Sequence, residues 1–163
     1  QKMGVSSFDS TSPLRQAFKD DKDNYYTMDR TYLAIRVPQV EGNPQLQARI
    51  RSGELSQEKV RQLEERCIRA LIEYDRECLS LEATLEQVLA YERVHHPRKD
   101  QSTGYRQVLE DRPWATCPCA ICRRICVHVI LFRGAERNKR RGFHNLQVFY
   151  KQIQQETLPI PHS

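Results

Sequence analysis

The sequence predicts an α/β chain: short strands at its start, a helical middle and a cysteine knuckle that folds back on a C-terminal helix. Three observations predict it. Tyr25, Tyr26, Tyr32, Leu33, Ile35 and Val37 alternate as extended pairing requires. Between Ser56 and His96 no Gly or Pro interrupts a three-and-four spacing of apolar residues. Four of the six cysteines fall within ten residues, Cys117 to Cys126.

In chain order, Val5 to Phe8 resembles the end of a buried strand without the residues that precede one. The chain opens on Gln1 and is expected to be the C-terminal part of a longer protein, with Met3 as the alternative start. Asp20 to Asn24 is a polar turn, and Pro38, Gly42, Asn43 and Pro44 mark a linker. Val60, Leu63, Cys67, Ala70 and Tyr74 form one helical stripe, continued by Leu81, Leu85, Val88 and Leu89. The step from Tyr74 to Cys78 shifts the stripe and marks a bend or a break in a hairpin. Ser56 is the N-cap and Pro97 the stop. The stripe is core or docking surface, and Cys67 and Cys78 are expected to be small buried residues. Residues 98–112 are polar, with Gly104 as a breaker. Residues 133–141 form a basic loop, and Leu146, Phe149, Tyr150 and Ile153 give a last helix.

The 163 residues are 39% hydrophobic and 29% charged, a balance that excludes a disordered chain. The longest apolar run, Val127 to Phe132, contains His128, so no membrane span of about 18 apolar residues is present. With no secretory leader visible, clustered cysteines are metal ligands before they are disulfides, and the expected compartment is the cytoplasm. Charge is uneven. Residues 1–97 hold 14 Lys and Arg against 16 Asp and Glu, whereas residues 98–151 hold 12 against 4. Such a block fits either a polyanion partner or a solvated basic face.

Cys117-Pro118-Cys119-Ala120-Ile121-Cys122 brings three thiols round a sharp turn, and His144 follows after 21 residues. Three thiolates and one imidazole make a closed tetrahedral set for a structural zinc ion. Cys126 and His128 are competing ligands, and an iron–sulfur cluster is an alternative. Asp9, directly after an apolar segment, suits either a catalytic carboxylate at a barrel strand end or the cap of a turn.

Together these segments resemble the C-terminal part of a tRNA-guanine transglycosylase. Phe8-Asp9-x-x-x-Pro13-x-Arg15 is similar to the nucleophile loop of that family. The Cys117, Cys119, Cys122 and His144 set is similar to its zinc site, and His144-Asn145-Leu146 with Phe149-Tyr150 to the helix that supplies the histidine. The resemblance implies the last part of a (β/α)8 barrel: residues 1–41 as barrel strands with the nucleophile loop, 42–111 as a mostly helical insertion, 112–163 as zinc subdomain and closing helix. It implies guanine exchange for a 7-deazaguanine, with Asp9 as nucleophile and Arg15 on the nucleic acid. Leu14 stands where the family often has Thr. The short interval from Cys122 to His144, the long insertion and the run from Arg133 to Asn145 resemble the DNA-directed branch more than the tRNA enzymes. The expected partners are therefore DNA ahead of tRNA, the deazaguanine base, and a partner subunit or a second copy. Arg133, Arg137, Lys139, Arg140 and Arg141 are the candidate phosphate contacts; the alternative is that Arg137 to Arg141 pair with acids such as Glu64, Glu65 or Glu73. A non-catalytic zinc module that binds nucleic acid or a partner is the competing reading.

Overall fold

Helix α1 (Ser12–Gln16) opens the structure, a computed structural model that describes residues 11–19 and 22–157. Asp9 and the segment Val5 to Phe8 lie outside the described residues. A hairpin follows, with β1 (Tyr25–Tyr26) antiparallel to β2 (Thr31–Tyr32), Tyr25 facing Tyr32. Strand β3 (Ile35–Arg36) instead pairs in parallel with β4 (Leu131–Phe132), Ile35 beside Leu131. A parallel pair needs a long crossover. Here the crossover is the whole helical middle of the chain.

That middle begins one step earlier than the sequence suggests. Asn43 caps α2 (Pro44–Arg51), its side chain accepting from Leu46 N at 3.0 Å, and Pro44 suits the first turn. The expected linker is thus a helix start. Ser56 caps α3 (Gln57–Asp75) through Lys59 N, and Ser80 caps α4 (Leu81–His95) through Ala83 N. The break between them is a Schellman turn. Glu77 takes a left-handed φ of 61°, Glu77 N–H returns to Tyr74 O at 3.0 Å and Cys78 N–H to Glu73 O at 2.8 Å. Cys78 therefore lies in an exposed turn, against the expectation that it is buried, while Cys67 is fully buried on α3.

Gly104 does not break a helix but lies inside α5 (Ser102–Asp111). A Cβ there would meet Leu33 Cδ2 at 2.9 Å, so glycine lets α5 seat on the segment between β2 and β3. Short helices α6 (Pro113–Thr116) and α7 (Ala120–Ile125), then a 3-10 turn over Cys126–Ile130, lead into β4. Helix α8 runs unbroken from Gly134 to Thr157. The predicted basic loop is its N-terminal third: Arg, Lys and Glu are good helix formers, and Gly142 is held in place by a packing contact.

The core joins the strands to the helical middle and the knuckle. Tyr25, Ile35 and Val37 meet Leu71, Leu85 and Val88 of the hairpin and Val108, Trp114, Ile130 and Leu131. Arg133 ties the crossover to the strands: Nη2 donates to Glu64 Oε1 at 2.8 Å, Nη1 to Val37 O at 3.2 Å, and Glu64 also accepts from Val40 N. Among the described residues no helix is long and apolar enough to cross a membrane.

Candidate metal centre

The knuckle is built from two helix ends. Trp114, buried on α6, donates from Nε1 to Asp75 Oδ1 at 2.7 Å and fixes α6 against the end of α3. Cys117 leaves α6 in an extended conformation, and Pro118 restricts the turn that follows. Cys119 is the N-cap of α7: its Sγ accepts from Cys122 N at 3.3 Å. Cys122 then sits one turn into α7, facing α8, where His144 is buried.

The four side chains converge. His144 Nδ1 lies 3.6 Å from Cys117 Sγ, 3.4 Å from Cys119 Sγ and 3.3 Å from Cys122 Sγ, and all four ligand atoms lie within 4.8 Å of one another. An ion with bonds of about 2.3 Å to sulfur and about 2.0 Å to nitrogen would set sulfur–nitrogen edges of about 3.5 Å in a tetrahedron. The donor set therefore fits a metal ion with no open position. Cys126, exposed after the knuckle, and His128, half-buried beside α8, stand outside this group.

A second layer orients the ligands, and none of it is visible in the cysteine spacing. His144 Nε2–H donates to Tyr26 O at 2.8 Å, which leaves Nδ1 as the ligand atom. The Tyr25 ring stacks on the imidazole at 4.2 Å and 13°. Its hydroxyl lies 3.3 Å from Cys122 Sγ. Burial and the neighbouring Cys122 raise the Tyr25 pKa, so the hydroxyl stays protonated and is placed to donate to Cys122 Sγ when a metal ionises that thiol. The β1 hairpin is thus as much a part of the centre as the knuckle.

Electrostatics favour a cation here. The hydrogen bond with Cys122 draws the Cys117 thiol down to about 3, and the same contact, with burial, pushes Cys122 up. Burial lowers His144, but its bonds with Cys117 and Cys119 outweigh that and raise it to about 9. Three thiolates this close repel one another, and a bound metal supplies the charge that lets all three ionise.

One turn of α8 also clamps α1. Gly142 lets the two backbones approach: a Cβ would sit 3.1 Å from Leu14 Cδ2 and 3.3 Å from Leu14 O. Asn145 Oδ1 accepts from Tyr26 N at 2.9 Å, while Nδ2 donates to Asn24 O at 3.0 Å and Pro13 O at 3.4 Å. The metal centre and the helix that follows Asp9 in sequence therefore share one support.

The candidate phosphate contacts separate into two groups. Arg141 is fully buried. Its Nη1 donates to Val129 O and Leu131 O at 3.2 and 3.0 Å, and its Nη2 to Ala17 O and Asn138 Oδ1, each at 2.7 Å. It is a scaffold residue and does not face a nucleic acid. Arg133 is committed to Glu64, and only 12% of its side chain is exposed. These two are corrections to the sequence reading, because a cation flanked by buried carbonyls or a buried acid looks in sequence like any other. Lys139 and Arg140 are exposed, and half-buried Arg137 donates from Nη2 toward His128 Nδ1 at 3.4 Å. Arg15 is exposed in the last turn of α1.

No protein-family model matches the chain. Over 157 residues, 94% of its length, the chain is 54% identical to a DNA-guanine transglycosylase of Salmonella montevideo, of which it spans 38%.

Proposed function

We propose that this chain, which belongs to the guanine transglycosylase family, is the C-terminal, zinc-holding part of an enzyme that exchanges guanine in DNA for a 7-deazaguanine. The observation that carries this reading is the 54% identity to a protein named for that activity, maintained over nearly the whole chain. The rest of the full-length protein supplies the base pocket and the acid–base group. On this reading β3 and β4, parallel across a long crossover, are strands of a (β/α)8 barrel. Residues 1–41 then carry the nucleophile loop, 42–111 the helical insertion, and 112–163 the zinc subdomain with the closing helix. The compartment is the reducing cytoplasm, where thiols remain available to a metal.

The chemistry assigned to this chain's residues is nucleophilic. The Asp9 carboxylate attacks C1′ of a flipped deoxynucleotide, the C1′–N9 bond breaks and guanine leaves with a proton from the acid–base group. The covalent deoxyribosyl–aspartate is then opened by N9 of the incoming deazaguanine, which gives its N9 proton to the acid–base group, forms the new C1′–N9 bond and frees Asp9. Two displacements retain configuration, as in retaining glycosidases. Arg15, six residues after Asp9 in sequence, contacts the nucleic acid, and so do half-buried Arg137 and the exposed Lys139 and Arg140. Zinc bound by Cys117, Cys119, Cys122 and His144 has no vacant position, so it braces α7 and α8 and takes no part in the exchange.

The test is an exchange assay on the full-length protein with labelled guanine. Label should enter duplex DNA and not tRNA, and Asp9→Ala should abolish incorporation while zinc content is retained. Incorporation into tRNA alone would replace the substrate assignment, and full activity in Asp9→Ala would remove the nucleophile.

A further inference from the structure

Resting on the DNA-directed reading above, we propose that the groove between the end of α3, helix α7 and the first turns of α8 is a phosphodiester-binding site. It would hold the backbone of bound DNA through Arg76, Arg124, Arg137 and Arg140. The groove has a volume of about 640 Å³. Three separate elements bring its cations together. Arg76 is the residue that ends α3, Arg124 lies in the last turn of α7, and Arg137 and Arg140 stand three residues apart on one face of α8. Two of the four, Arg76 and Arg124, come from parts of the sequence that the basic run near His144 does not include.

The positive charge is not neutralised from within. Among the described residues no carboxylate lies within ion-pair distance of any of the four arginines. Of the two acids at the groove, Asp75 is engaged by Trp114 Nε1 at 2.7 Å, Val127 N at 3.4 Å and Arg112 at 3.7 Å; Glu136 is the other. Burial and the neighbouring Arg133 and Arg140 charges lower the Arg137 guanidinium, the sign of cations crowded without a counter-charge. Guanidinium forks match phosphate oxygens in pairs, which suits arginine at all four positions.

The groove is also held rigid by the metal centre. Arg124 follows the ligand Cys122 by two residues, and Arg140 precedes the ligand His144 by one turn. The ligand set joins the α7 wall to the α8 wall, so the spacing of the arginines is fixed before DNA arrives.

The experiment is a salt titration of full-length protein binding to a short fluorescent duplex, followed by anisotropy. Removal of one arginine–phosphate pair should reduce the slope of log affinity against log salt by about 0.9. Arg124→Ala and Arg140→Ala should each show that reduction, and the double variant about 1.8. Arg124→Lys should keep the slope, because it keeps the charge, and Arg66→Ala on the exposed face of α3 should match the parent. If the parent fails to bind duplex DNA, the DNA-directed reading falls and this site with it. If the parent binds and Arg124→Ala and Arg140→Ala keep its affinity and slope, the groove alone is refuted. Competition by polyglutamate as effective as DNA of equal charge would also overturn it, in favour of an acidic protein partner.

Discussion

Replacing Arg141 by Ala separates the two roles a buried cation in a basic run can have. The side chain has no exposure, four hydrogen bonds to acceptors at 2.7 to 3.2 Å, and its guanidinium 5.4 Å from the centre of the Phe132 ring. Burial lowers its pKa to about 9, which still leaves it charged at neutral pH. Its removal strands the carbonyls of Ala17, Val129 and Leu131. Each unsatisfied buried acceptor costs about 1–3 kcal/mol. Relief of the buried charge offsets part of that sum, so a net loss of about 4 kcal/mol is the expected outcome. For a chain of this size that is a fall in Tm of about 8–16 °C. The assay is thermal unfolding of the zinc-loaded chain, paired with DNA affinity of the folded full-length variant. The scaffold role predicts the large Tm drop with an unchanged salt slope of DNA binding. A Tm within about 2 °C of the parent, together with a reduced salt slope, would overturn the scaffold role and return Arg141 to the phosphate contacts.

Three further outcomes follow from the same contacts. Metal analysis should find about one zinc per chain, and Cys119→Ser or a strong chelator should release it and unfold the knuckle, since binding and folding are linked; a fully folded, metal-free chain would contradict this. Gly142→Ala should destabilise by about 1 kcal/mol, because overpacking against the α1 backbone outweighs the gain of about 1 kcal/mol in helix propensity; a stabilised variant would show that α1 yields freely. Burial, then the Arg36 and His96 charges, lower His95 to about 3, so the fold favours its neutral form and loses stability as pH falls below the unfolded value near 6.5. Between pH 6.5 and 5 that loss is about 2 kcal/mol, and urea midpoints of His95→Phe should fall less steeply over the same range than those of the parent.

Local features are the ones legible in the sequence. Cys117, Cys119 and Cys122 are fixed by their spacing round one turn, and His144 stands out because it opens a recognisable motif, although it lies mid-helix in α8. Caps such as Ser56 and the stripe from Val60 to Tyr74 are also legible, since both depend on neighbours a few residues away. Long-range roles are not. Gly104 looks like a breaker until Leu33 is seen against it, and nothing local to Gly142 points to its contact with Leu14. Charge type does not reveal whether an arginine meets solvent, as Arg140 does, or three main-chain carbonyls from distant segments, as Arg141 does. Tyr25 and Tyr26 carry a strand signal, and nothing in their alternation points to His144.

Base exchange as proposed depends above all on attack by Asp9 on the sugar of a DNA guanine, beside a zinc-braced fold. The decisive measurement is denaturing electrophoresis of full-length protein mixed with labelled duplex DNA and quenched during turnover. The parent should give a denaturation-resistant protein–DNA adduct that free guanine or a 7-deazaguanine discharges, and Asp9→Asn should give none while it still binds zinc and DNA. An adduct of equal yield in Asp9→Asn, or exchange into DNA with no adduct in the parent, would contradict that role for Asp9.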